Sequence, residues 1–190
     1  MTILIIGLIV FFASHAFTMA RGNRAMVIER LGEGPYKGLY SLASAIGLIL
    51  IIWGFGSYRA GGYIPIWNPP RWTRDVALLL MIPATILFVA TYLPGEIKRR
   101  AKHPMLAALK IWALAHLLAN GDLGSMLIFA AFLVYGIVDR IAVKRRGETA
   151  AIAPGWSRND TIAVIAGLAV YAAIVFYLHD LIIGVGVLPG

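Results

Sequence analysis

Residues 104–143 read PMLAALKIWALAHLLANGDLGSMLIFAAFLVYGIVDRIAV. Two apolar runs, 104–120 and 123–143, meet at Asn120-Gly121-Asp122. The hydrocarbon core of a bilayer is about 30 Å thick and takes about 20 apolar residues of helix. Asn, Gly and Asp are the residue types that reverse a chain tightly. The stretch therefore predicts two membrane-crossing helices joined as an antiparallel hairpin. Working outward, comparable runs lie at 74–94 and 161–183, then at 38–58 and 2–20. The reading is an all-α fold, a polytopic transmembrane bundle of about six helices. It forms a single domain over 1–190, because no connection is long enough to fold separately. Of the 190 residues, 60% are hydrophobic and 14% charged, with a mean hydropathy of +0.81. Soluble domains run at about 45–50% apolar and about 25% charged, so a soluble enzyme is excluded. The absence of cysteine excludes disulfides, iron–sulfur clusters and thiolate chemistry.

The net charge of +8 is topological. No basic residue precedes the first apolar run, which argues against a cleavable signal peptide. Positive charge marks cytoplasmic loops. With the N-terminus outside, Arg21, Arg24, Arg30, Lys37, Lys98, Arg99, Arg100, Lys102, Arg140, Lys144, Arg145, Arg146 and Arg158 fall inside, against Arg59, Arg71 and Arg74 outside. Both termini then lie on the non-cytoplasmic side. The partner of this charge is the lipid bilayer, with no nucleic acid. The connections are 21–37, 59–73 and 144–160. The Pro- and aromatic-rich segment 63–72 suits a loop lying in the membrane interface, and Pro83 predicts a kink in the third helix.

Ionisable residues inside membrane helices are costly and so are candidates for function. Here they are His15, Lys110, His116, and His179 with Asp180, while His103 stands just before Pro104 at a helix start. Each also has a plain reading. His103 is an interfacial residue, Lys110 snorkels to headgroups, and His179-Asp180 is a hydrated helix end. His15 and His116 can be neutral rings bonded to a neighbouring helix. Met105, Leu109, Trp112, His116 and Asn120 share one helical stripe, and Phe11, Phe12, His15, Thr18 and Met19 form a comparable one. A histidine among large apolar and aromatic side chains suits haem, whose iron takes an imidazole while the macrocycle packs on the surrounding rings. The same stripe is also ordinary packing material. Paired carboxylates for a di-metal site and a nucleotide-binding glycine loop are not apparent; Gly54-Phe55-Gly56 is too short a signal.

Ser14-His15-Ala16 followed by Leu31-Gly32-Glu33-Gly34, the segment Lys102-His103-Pro104-Met105 with Ile111-Trp112-Ala113-Leu114-Ala115-His116 through Asp122, and the ending Leu178-His179-Asp180-Leu181 resemble the NnrU family across essentially the whole chain. The resemblance implies a bacterial inner (cytoplasmic) membrane protein linked to nitrite and nitric oxide metabolism in denitrification. The family is similar to the plant zeta-carotene isomerase, a haem b enzyme acting on a carotenoid precursor. Carried over residue by residue, the resemblance implies haem b held by His15 and His116, with Trp112 beside the cofactor. A departure stands at Ala113, where the isomerase has a cysteine tied to its redox-dependent mechanism, so a thiolate ligand swap is excluded here.

Depth along the helices sets a second constraint. His15 lies about 9 Å from Arg21 and His116 about 20 Å beyond His103, at 1.5 Å per residue. Depth alone pairs His116 with His179, and His179 and His103 stand as alternatives to His15. The functional classes left open are a haem b protein linked to nitrite and nitric oxide metabolism, a haem-dependent cis–trans isomerase of an apolar polyene, and a haem-free accessory or assembly protein for membrane reductases. A membrane methyltransferase, suggested by Lys102-His103-Pro104, lacks the paired glutamates it needs, since Glu148 is the single glutamate after residue 104.

Overall fold

The computed structural model describes residues 1–147 and 155–188; Glu148 and the middle of the 144–160 connection lie outside them. Among the described residues the chain is helical, with no strand and one isolated bridge between Pro65 and Asp122. Among the described residues five helices are long and apolar enough to cross a membrane: Thr2–Met19, Glu33–Ala60, Arg71–Ala90, Leu123–Arg145 and the continuous stretch Arg158–Ile183. Pro104–Ala119 is apolar but shorter, at 16 residues. Large apolar side chains face outward along these helices, with Ile9 63%, Leu79 66% and Ile165 65% exposed. Such surfaces suit lipid rather than water. The residues cluster into two compact units, Met1–Asn68 with Asn120–Ala131, and Pro69–Ala119 with Phe132–Gly190.

In the first unit, α1 (Thr2–Met19) packs along α3 (Glu33–Ala60). In chain order they are joined by α2 (Arg21–Leu31), a helix where the sequence reading has a plain connection over 21–37. The physical reason is that Arg21–Leu31 holds good helix formers with a single interior glycine, Gly22. The chain turns at Ala20 and again at Gly32, whose φ of 86° suits only glycine. Three further glycines let the α1 and α3 backbones touch. A Cβ on Gly7 would lie 2.6 Å from Ile51 N, one on Gly47 2.6 Å from Phe11 N, and one on Gly54 2.4 Å from Leu4 N. Small residues at such crossings allow the close van der Waals packing on which helices in lipid depend.

The loop after α3 is pinned to the Asn120-Gly121-Asp122 turn. Ile66 N and Trp67 N donate to Gly121 O at 2.8 and 3.1 Å, and Leu123 N donates to Ile64 O at 2.9 Å. Trp67 Nε1 donates to Asn120 O at 3.2 Å. Asp122 Oδ1 accepts from Ser125 N at 2.9 Å, capping the start of α7 (Leu123–Arg145).

In the second unit, α4 (Arg71–Ala90) packs against α6 (Pro104–Ala119) and α8 (Arg158–Ala173). The buried surfaces are small: Ala77, Ala84 and Ala90 on α4, Ala108, Ala113 and Ala115 on α6, and Ala163 on α8. Gly167 meets α4 so closely that a Cβ would sit 2.6 Å from Ile86 Cα. α4 runs through Pro83 as one helix. Trp112 on α6 meets Phe132 on α7 edge-on at 5.4 Å, and Gly136 faces the Lys110 stem. α5 (Glu96–Ala101) fills the 94–104 connection. α8 continues through a π-helical turn, Ile174–Leu178, into α9 (His179–Ile183), which ends at Gly184 with φ 70°.

Candidate functional site

His15 and His116 are held in the same way, each in its own unit. His15 Nδ1 is 2.8 Å from Phe11 O, and His116 Nδ1 is 2.8 Å from Trp112 O. A carbonyl only accepts, so each Nδ1 carries the proton and donates to the carbonyl one turn back. That directs Nε2 of each ring away from its own helix backbone, the arrangement that orients a metal-ligating histidine. The residue four earlier is aromatic in both cases. Phe11 stacks on His15 at 4.1 Å with an interplanar angle of 27°, and Trp112 lies 5.0 Å from His116 at 48°.

The surroundings differ. Around His15 stand Tyr40, 5.5 Å away, and Ser14, whose hydroxyl donates to Phe11 O at 2.7 Å and lies 3.1 Å from Ser44 Oγ. Near His116 is a second imidazole. His179 lies 6.5 Å from it between ring centres, with planes 25° apart. His179 Nδ1 donates to Val185 O at 2.8 Å. The π-helical turn just before His179 adds a residue to the helical ring and so resets the face that His179 occupies. His103 sits between α5 and α6, where His103 N approaches Ala101 O at 2.6 Å across Lys102, whose φ is 61°. That geometry is a strained γ-turn.

Three or more His, Cys, Asp or Glu do not gather as a metal cage among the described residues. The donors present are single imidazoles and the His116–His179 pair, a set that fits an iron whose equatorial ligands come from a macrocycle.

A polar cluster that the sequence reading passes over joins α5 to the start of α8. Asp160, 2% exposed, accepts from Glu96 N at 3.0 Å, Ile97 N at 2.8 Å, Ser157 N at 2.8 Å and Ser157 Oγ at 2.7 Å. Gly95 makes room for this carboxylate, since a Cβ there would lie 2.5 Å from Asp160 Oδ1. Glu96, itself buried, pairs with Arg99 and, at 2.8 Å, with Arg100. Its Oε2 also accepts from Gly155 N at 3.2 Å. The Arg99 and Arg100 hydrogen bonds hold the Glu96 carboxyl well below its usual range, at about 2. The signal for this cluster is Ser157-Arg158-Asn159-Asp160, which fits the pattern of a helix start with an acidic residue three positions on.

The sequence pattern of one family, described as NnrU protein, matches residues 3–187. The chain belongs to the NnrU family. No curated protein and no solved structure matches it. As an NnrU protein it brings the two helix histidines, the Trp112 stripe and the Asn120–Asp122 hairpin within one family match.

Proposed function

We propose that this NnrU protein is a multi-pass protein of the bacterial inner membrane that binds haem b, with both termini outside the cytoplasm and a role in nitrite and nitric oxide metabolism. The observation that carries the reading is the shared setting of His15 and His116. Each ring sits in an apolar helix, has its Nδ1–H tied to the carbonyl one turn back, and lies beside a large aromatic ring. Nε2 of each is thereby set as a ligand atom at no further cost in ring ordering. Trp112, held edge-on by Phe132, supplies a flat apolar wall next to His116. When bound, haem b would supply an iron able to take a small ligand such as nitric oxide. The protein's own part is to orient the imidazoles and to keep water from the site.

A second ligand assignment is favoured by a specific distance. His179 lies 6.5 Å from His116 between ring centres, within the same unit. The family resemblance supports His15 with His116, and the proximity supports His179 with His116; His116 is common to both. A polyene isomerase is the second functional reading, supported by the exposed apolar helix faces through which such a substrate enters from lipid. The test is a reduced-minus-oxidised absorption spectrum with a pyridine haemochrome assay on protein purified in mild detergent. Sharp b-type bands support the proposal. No haem after supplementing the expression host shifts the reading to a haem-free accessory protein.

A further inference from the structure

Glu96 and Arg100 form part of the wall of a cavity of about 450 Å³ within the second unit, with Leu87, Ile97, Ala101, Gly155 and Trp156 around them. That volume lies within the range of sites that hold small molecules, about 300–1,000 Å³. The cavity is distinct from the histidines and plays no part in the haem reading. Its walls are apolar at Leu87, Ile97 and Ala101. Trp156 stands 65% exposed, with its indole fixed by a hydrogen bond from Nε1 to Thr161 Oγ1 at 3.0 Å. The cavity opens beside the last turn of α4, where a membrane-crossing helix ends. Trp and Tyr concentrate at that level of a bilayer.

Charge identifies the occupant. Lys98, Arg99, Arg100 and Lys102 lie on or next to α5, and Glu96 is the acidic side chain set among them. Asp160 is consumed by backbone and Ser157 donors, and Lys98 Nζ is tied to Thr91 O at 2.6 Å. Arg100 donates through Nε to Glu96 at 2.8 Å, yet its side chain stays 77% exposed. The guanidinium is thus positioned by one carboxylate while its outer edge meets the surroundings, beside an apolar hollow. We propose that this cavity binds one anionic phospholipid, its phosphate on Arg100 and one acyl chain against Leu87, Ile97 and Ala101. A water-soluble phosphate would leave the apolar walls unused, and a zwitterionic lipid carries no net charge to match the cation surplus. Asp160 and Glu96 act here as positioning residues, because they fix α5 and the Arg100 Nε.

The test uses the full chain in mild detergent, offered equal amounts of phosphatidylglycerol and phosphatidylcholine with identical acyl chains, and read by native mass spectrometry. The expected result is one retained phosphatidylglycerol per chain in preference to phosphatidylcholine. Arg100→Gln lowers that retention about fivefold, the effect of one basic residue at an anionic headgroup. Ala101→Trp, which fills the apolar part, lowers retention of both lipids, and Arg30→Gln on α2 leaves retention unchanged. Circular dichroism of each variant checks that helix content is kept. Equal retention of both lipids by the unaltered protein overturns the proposal. So does undiminished phosphatidylglycerol on folded Arg100→Gln and Ala101→Trp, or release of the lipid by inorganic phosphate alone.

Discussion

The first unit and the second carry the same short arrangement, an aromatic residue four positions before a histidine that bonds back to its carbonyl, but they place it in different company. Phe11–His15 stands beside the Ser14 hydroxyl, which in turn reaches Ser44, and the Tyr40 ring, whereas Trp112–His116 faces a second imidazole, His179. The units also cohere differently. α1 and α3 touch backbone to backbone at Gly7, Gly47 and Gly54, while the second unit adds to its small-residue contacts a buried carboxylate that gathers three backbone N–H groups and a hydroxyl. Helical spacing and i−4 hydrogen bonding set the orientation of a histidine ring. What the ring can do is set by whichever other element arrives beside it.

Substitutions can break this contrast. The largest effect is expected for Gly54→Leu, which drives a side chain into the Leu4 backbone and destabilises the first unit by about 3 kcal/mol. Chemical unfolding in detergent measures it, and a neutral result would remove the close-packing account. Asp160→Ala comes next, at about 2 kcal/mol, because Glu96 N, Ile97 N and Ser157 N lose their acceptor while buried or partly buried. Gly95→Ala is expected to act in the same direction through the Asp160 carboxylate. Thermal melts that show no change for either variant would deny the cluster its structural role.

A third effect depends on pH. Glu96 sits at about 2 in the folded chain and near the ordinary value of about 4.3 when unfolded. Its contribution is therefore complete above about pH 4.3 and drains away as pH falls toward 2, because the unfolded carboxyl takes up its proton first. Glu96→Gln should flatten that part of the stability–pH curve, and an unchanged curve would contradict the pairing with Arg99 and Arg100. The smallest expected effect is a gain of about 0.5 kcal/mol for Lys102→Gly, which relieves a positive φ of 61°. It is read as a modest rise in melting temperature.

Much of the fold was legible because membrane helices announce themselves by length and hydropathy. The Asn120–Asp122 turn was legible from residue type alone. His15 and His116 stood out because a polar ring in an apolar run is rare, and depth arithmetic already set His179 at the level of His116. The α2 helix was hidden because Arg21–Leu31 is too polar for the pattern that marks a membrane span. The π-helical turn before His179 leaves no residue signature, since Ile174–Leu178 reads as ordinary helix. The γ-turn at Lys102 is imposed by the joining of α5 to α6 and not by lysine itself. Asp160 was within reach through Ser157, but its pairing with Glu96 N and Ile97 N spans more than 60 residues of sequence.

The claim that joins both ligand assignments is that His116 holds the cofactor. Its most direct test is the haem-to-protein ratio of His116→Ala against the unaltered protein, purified in parallel from a haem-supplemented host, with helix content compared by circular dichroism. Close to one haem per chain is expected for the unaltered protein, and less than a tenth of that for a folded His116→Ala. A folded His116→Ala that keeps its haem would contradict that role.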